Sequence, residues 1–246
     1  MSDQASTIMV NTLEPQSGTT LTVGKSGQNL VVNADSLKAN VVKDAGANAV
    51  FTSDGSGNLS GLNSAFGSAQ VLISTTTVST AVANISFTSG IDSTYKEYVF
   101  EFINMNPATN SVNWSFQVNA SGQTGFNETL TSSAFMAQHA ENDTDSGLGN
   151  QGGHAQEQGT AYQTLNYNTA NFADASVSGE LHFFNPASTT YVKNFYSCTN
   201  EMLEASYTIN FFTSGYINTA SAITEIDFKF SSGNINAGKI KMYGIK

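Results

Sequence analysis

The histidines and the acidic residues around them are the first place to look for chemistry. His139, His154 and His182 all lie between Lys96 and Lys193, an interval with no other basic residue and nine acidic ones, among them Glu141, Asp143, Asp145 and Glu157. Its centre reads "HAENDTDSGLGNQGGHAQEQGTAY". By pattern this is one polar loop, too long for a simple hairpin connection, and loops of that length usually carry function or stay disordered. Asp143 and Asp145 followed by Gly147 match part of a calcium loop, because alternate carboxylates before a glycine can turn oxygens toward one cation. The late bidentate Glu of an EF-hand is missing, so calcium at this pair is the one cofactor the pattern suggests. The plainer reading is a solvated acidic loop, or one packed at a subunit boundary.

Trp114, Tyr162, Tyr167 and Tyr191 offer ring faces on which a sugar could stack. With the neighbouring carboxylates, Tyr162, Tyr167, Glu141 and Glu157 become the candidates for glycan or partner contact. Strand alternation puts Trp114 in the core instead. No nucleophile elbow, H-E-x-x-H, P-loop or C-x-x-C pair occurs. Three separated histidines do not form a triad, and His182 in "LHFF" reads as a structural strand residue. Glycosidase chemistry needs two carboxylates roughly 5 to 9.5 Å apart, and nothing in the sequence selects such a pair. The expectation is a protein without catalytic activity.

The elements that would position these residues are strands. "YKEYVFEFINM" sets Tyr98, Phe100 and Phe102 against Glu97, Val99 and Glu101. "VNWSFQVN" alternates Val112, Trp114, Phe116 and Val118 with Asn113, Ser115, Gln117 and Asn119. "ASYTINFF" and "AITEIDFKF" repeat the period of two, the latter with Ile226, Phe228 and Phe230 inward and Glu225, Asp227 and Lys229 outward. Half-buried antiparallel strands read this way. Adding "AQVLIST", "NISFTS", "GELHFFN" and "TYVKNFYS" gives eight to ten strands over residues 69–246, with no convincing helical period. The fold expected there is an antiparallel, jelly-roll-like β-sandwich. The ending "GKIKMYGIK" is an amphipathic strand, Ile240 and Met242 inward and Lys239, Lys241 and Tyr243 outward. Its lysines would guard an exposed edge or meet the acidic face of another copy.

Residues 1–68 differ. They hold only two aromatics, Phe51 and Phe66, and small apolar clusters recur every nine or ten residues: "LTV" at 21–23, "LVV" at 30–32, "VV" at 41–42, "VF" at 50–51, then Leu59 and Leu62. A repeat of one short strand and one turn has this look. One copy cannot enclose a core, so such an arm must stack, wind with identical chains or lie on another surface. A flexible linker is the alternative.

Composition narrows the class of function. Charged residues reach only 11%, against about 25% in a typical domain, so Ser, Thr, Asn, Gln and Gly must make the polar surface. All nine basic residues are lysine, and the net charge is −10. Nucleic-acid binding through a basic face is thereby excluded, and an anionic membrane surface is disfavoured. No apolar run approaches the ~20 residues of a span, and "MSDQASTIMVNTLEPQ" lacks the features of a signal peptide. Synthesis in a cytoplasm, without membrane insertion, is expected. Cys198 is the single cysteine and reads as a small apolar strand residue.

The opening "STIMVNTLEPQSGTTLTVGKSGQNLVV" resembles the start of small fibre and virion structural proteins of tailed bacteriophages, especially those of aquatic bacteria. "DAGANAVFTSDGSGNLSGL" resembles the connector that follows in them. "GIDSTYKEYVFEFINMNPATNSVNWSFQVNASG" and "GKIKMYGIK" are similar to their β-sandwich head domains. The resemblance implies a homotrimeric structural protein of the virion, attached to other virion proteins through residues 1–68 and displaying a sandwich to which host-surface glycans are candidate ligands. The chain is short for a long tail fibre. A short fibre suits its length, a capsid decoration or cement protein is the alternative, and a free carbohydrate-binding module or a polysaccharide depolymerase are rivals outside that class.

Overall fold

The computed structural model describes residues 41–43, 49–56, 58–62 and 69–246. The apolar clusters at 21–23 and 30–32 lie outside the described residues. The chain divides into two compact units between Phe66 and Gly67.

In the first unit, β1 (Val41–Lys43), β2 (Ala49–Ser53) and β3 (Leu59–Leu62) form an antiparallel sheet in that order. The clusters at 41–42 and 50–51 face each other across it, Val42 opposite Phe51 and Phe51 opposite Leu62. Asp54 shapes the β2–β3 turn: its carboxylate accepts the Ser56 N–H at 2.7 Å, the Asn58 N–H at 3.1 Å and the Asn58 side-chain amide at 2.8 Å. Those bonds, the Asn58 side chain first, hold the carboxyl below its ordinary pKa. Neither β1 nor β2 contains a buried residue, and Val41 and Leu59 are exposed.

The second unit is an antiparallel all-β sandwich of two sheets. Its strands are β4 (Gln70–Val78), β5 (Ile85–Phe87), β6 (Glu97–Pro107), β7 (Trp114–Ala120), β8 (Leu130–Ala140), β9 (Ser146–Asn150), β10 (Gln163–Thr164), β11 (Val177–Phe184), β12 (Lys193–Leu203), β13 (Tyr207–Ile217), β14 (Ile223–Phe230) and β15 (Ile235–Ile245). The large sheet runs β4-β15-β6-β11-β12-β13-β8-β9 and the small one β10-β7-β14-β5. Among the described residues the only helical piece is one 3₁₀ turn, Gly152–His154, and no helix is long and apolar enough to cross a membrane.

The core forms where the alternating rings of the two sheets meet. Phe228 is its hub: Phe102 lies 5.2 Å away between ring centres, Phe100 5.3 Å, Trp114 5.9 Å, Phe87 6.2 Å and Phe116 6.4 Å. Most of these pairs are edge-on or tilted, the geometry that aromatic quadrupoles favour. Four strands cannot cover eight, so the inner side of β13 and β8 is closed by the segment 154–170. Tyr167 packs with Ile209, Phe211 and Ala134 in a second, smaller cluster, and the His154 ring stands edge-on to Tyr167 and Phe211.

Three elements differ from the sequence reading. The polar stretch from His139 to Tyr162 is not one loop. It begins at the end of β8, turns tightly, and returns as β9, with Phe135 opposite Asn150 and Gln138 opposite Gly147. β8 escapes notice because its inward positions include Ala134 and Ala140, whereas all eleven of its residues pair with β13. Second, β7 is buried on both faces, because residues 128 and 156–162 fold over its polar side. Third, β15 lies between β4 and β6. Its lysines therefore guard no edge, and Lys241 instead meets Glu101, directly opposite on β6, at 3.1 Å.

Candidate binding face

Each sheet has an outer face, and the two carry different residues. On the small sheet, Asp227 is fully buried. One carboxylate oxygen accepts from Asn84 and Ser86, and the other from the Tyr162 hydroxyl at 2.8 Å. Burial, then the bond to Asp227 and its charge, pushes the Tyr162 phenol well above its ordinary pKa. The Lys229 ammonium sits 3.9 Å from the centre of the same ring. Gln117 donates to the carbonyls of Glu128, Thr160 and Ala161. This face is a closed polar seal.

The outer face of the large sheet is open. Strand alternation and register set Phe184, His182 and Glu180 of β11 beside Tyr196 and Cys198 of β12, then Ser214 and Phe212 of β13, and Ser133 and Phe135 of β8. The rings of His182 and Tyr196 stack at 4.4 Å and 11°, and those of Phe135 and Phe212 at 4.8 Å and 10°. Tyr196 is 42% exposed, Phe135 47% and Leu148 of β9 77%, so these rings are not core. One side of the Tyr196 ring is taken by His182. On the other its cross-strand neighbour is Ser214, too short to cover it.

Carboxylates surround the rings. His182 Nδ1 lies 2.6 Å from Glu97, and Nε2 lies 3.2 Å from Glu180. Burial, then the charges of Glu180 and Glu97, raise the Tyr196 phenol above its ordinary value. Glu180 stands directly opposite Glu101 in register, an arrangement of like charges that costs stability. Two cavities open along this face. One, of about 420 Å³, is lined by Glu101, Ile103, Ser178, Glu180 and Cys198. Gly179, at φ +153°, lets β11 and β12 approach closely beside it, since a Cβ there would fall 2.2 Å from the Cys198 carbonyl oxygen. The other, of about 410 Å³, is lined by His139, Glu141, Asp174, Asn200 and Tyr207, and Ser178 borders both.

The residues singled out from sequence are scattered by this geometry. Asp143 and Asp145 occupy the β8–β9 turn, where Asp143 bonds His139 at 3.0 Å and Asp145 accepts from Gln138 at 2.9 Å. Gln138 and His139 are consecutive on a strand and point to opposite faces, so the two carboxylates are drawn apart. Among the described residues no group of three His, Cys, Asp or Glu side chains converges as a metal site. Glu141 lines the second cavity, Glu157 is exposed on the loop before β10, Tyr162 belongs to the closed seal, and Tyr167 belongs to the smaller cluster. The structure does not bring these four together.

Two buried charged residues complete the picture. Glu201 is 2% exposed and accepts the Tyr167 N–H at 2.6 Å, while its second oxygen has no partner. Burial raises its pKa to about 8. Lys193, fully buried, donates to the carbonyls of Tyr191 and Thr219 at 2.9 and 3.0 Å, and burial lowers its pKa.

The chain was compared with protein families, curated proteins and solved structures. None of the three comparisons finds a match.

Proposed function

We propose that the chain is a structural component of a bacteriophage particle, without catalytic activity: a short homotrimeric fibre attached through residues 1–68, whose sandwich presents its open sheet face to host-surface glycans. The observation that carries this reading is the outer face of the large sheet, where Tyr196 and Phe135 are exposed among hydroxyl, amide and carboxylate side chains. Ring faces with polar groups around them are what sugar recognition requires. The resemblance of both ends of the sequence to virion proteins supports the attachment half. So does a first-unit sheet that leaves Val41 and Leu59 exposed, as expected of a region completed by other protein.

Deletion of residues 1–68 tests the reading. The truncated chain should keep its binding to host envelope polysaccharide and fail to enter particles. Normal incorporation would overturn the attachment role, and gold labelling of intact particles would separate tail from head. Light scattering of the intact protein should give about 78 kDa, three times the 26.0 kDa chain; a 26.0 kDa species would overturn the trimer.

A further inference from the structure

The open face also has a sign of charge. Glu97, Glu101 and Glu180 stand on β6 and β11, with Asp174 and Glu141 at the far cavity. The bases on the same face are Lys241, already paired with Glu101, and Lys239, opposite Ile103. His182 and His139 each lie against a carboxylate. Glu180 thus faces Glu101 with no lysine of its own. The two cavities meet at Ser178 and run across the strands from β6 over β11, β12 and β13 to β8, about 19 Å at ~4.8 Å between neighbouring strands. A trough of that length suits a linear chain of several units.

We infer that this trough binds a linear oligosaccharide of amino sugars carrying free, protonated amines. The inference rests on the glycan-display reading above and names the class of glycan. Three features select that class. Tyr196 stands at the trough's edge, next on the same face of β12 to Cys198 of the first cavity, and its open side, beside Ser214, offers a flat apolar surface to a pyranose ring. Glu180 and Glu97, close to the same ring, provide acceptors for an ammonium held near an aromatic edge. Ser178 and Asn200 along the cavities and Ser214 beside the ring match the hydroxyl groups that a sugar repeats and a lysine side chain lacks.

Calorimetry on the intact chain tests the inference with three probes at low salt: a fully deacetylated glucosamine hexamer, the N-acetylglucosamine hexamer of equal length, and oligolysine. The deacetylated sugar should bind about tenfold more tightly than the acetylated one. Glu180→Gln should weaken it about fivefold, and Tyr196→Ala or Ser214→Lys should abolish it, all three with the folded state retained by circular dichroism. Equal binding of the two hexamers would overturn the amine preference and leave glycan display standing. Oligolysine binding as tightly as the deacetylated sugar, and insensitive to Tyr196→Ala, would replace a sugar ligand by a basic peptide. No binding of any probe would overturn the inference, while particle incorporation separately decides the attachment role.

Discussion

The two outer faces of the sandwich start from the same pattern and end differently. On β14, Glu225, Asp227 and Lys229 alternate with core residues; on β11, Glu180 and His182 do the same. Asp227 is sealed beneath Tyr162, Asn84 and Ser86. Glu180 remains half exposed beside the Tyr196 ring, which is covered on one side only, by His182. The difference lies in what crosses above each strand. A long excursion between β9 and β10 folds back over the small sheet, and no described segment does so over the middle of the large one. Polar residues under a covering loop are fixed by hydrogen bonds and act as structure. The same residue types left open keep their hydrogen-bonding capacity for another molecule.

This contrast can be broken by mutation. The largest effect is expected at the hub that both sheets share: Phe228→Ala, removing a ring packed against five others, should cost about 4 kcal/mol in urea denaturation. Next is Glu201, under the segment that closes the inner side of β13. Its folded-state pKa of about 8 lies above the ordinary 4.5. The unfolded chain therefore ionises first, and stability falls as pH rises from about 4.5 to about 8, then levels off. Glu201→Gln keeps an acceptor for the Tyr167 N–H, so it should flatten that slope and raise stability by roughly 3 kcal/mol at alkaline pH. On the sealed face, Asp227→Ala strands Asn84, Ser86 and Tyr162 and should cost about 2 kcal/mol. On the open face, Tyr196→Ala should change stability by no more than about 0.5 kcal/mol while removing ligand binding. A large loss of stability from Tyr196→Ala would erase the distinction between the faces.

Strands with strong alternation could be read from sequence. Tyr98, Phe100 and Phe102 announce β6, and Ile240 and Met242 announce β15, because one buried face imposes a period of two. The register of β15 could not be read, since a period says which way a lysine points and not which strand lies beside it. β8 was hidden by its small residues. The open face was hidden for another reason: Phe135, His182, Tyr196 and Phe212 come from four strands, and only pairing across the sheet assembles them. The available signal was an excess of aromatics at outward positions, visible in "LHFF" and "NFYS" once the inward set is assigned. Tyr162 attracted notice as an aromatic in a polar stretch, but sequence could not show that Asp227 awaits its hydroxyl.

The position of β15 has a consequence for the order in which the sandwich can be built. Residues 235–245 pair on one side with β4 and on the other with β6, so the strand drops into a slot whose walls were synthesised long before it. Until it arrives, β4 has no neighbour in its sheet, and Phe100 and Phe102 lack Met242 and Ile240 across from them. Long-range pairing of this kind is slow and leaves apolar edges open during synthesis. It also acts as a form of inspection. A nascent chain that stops before residue 235 lacks the strand that joins β4 to the sheet, and only chains that carry β15 can complete the large sheet.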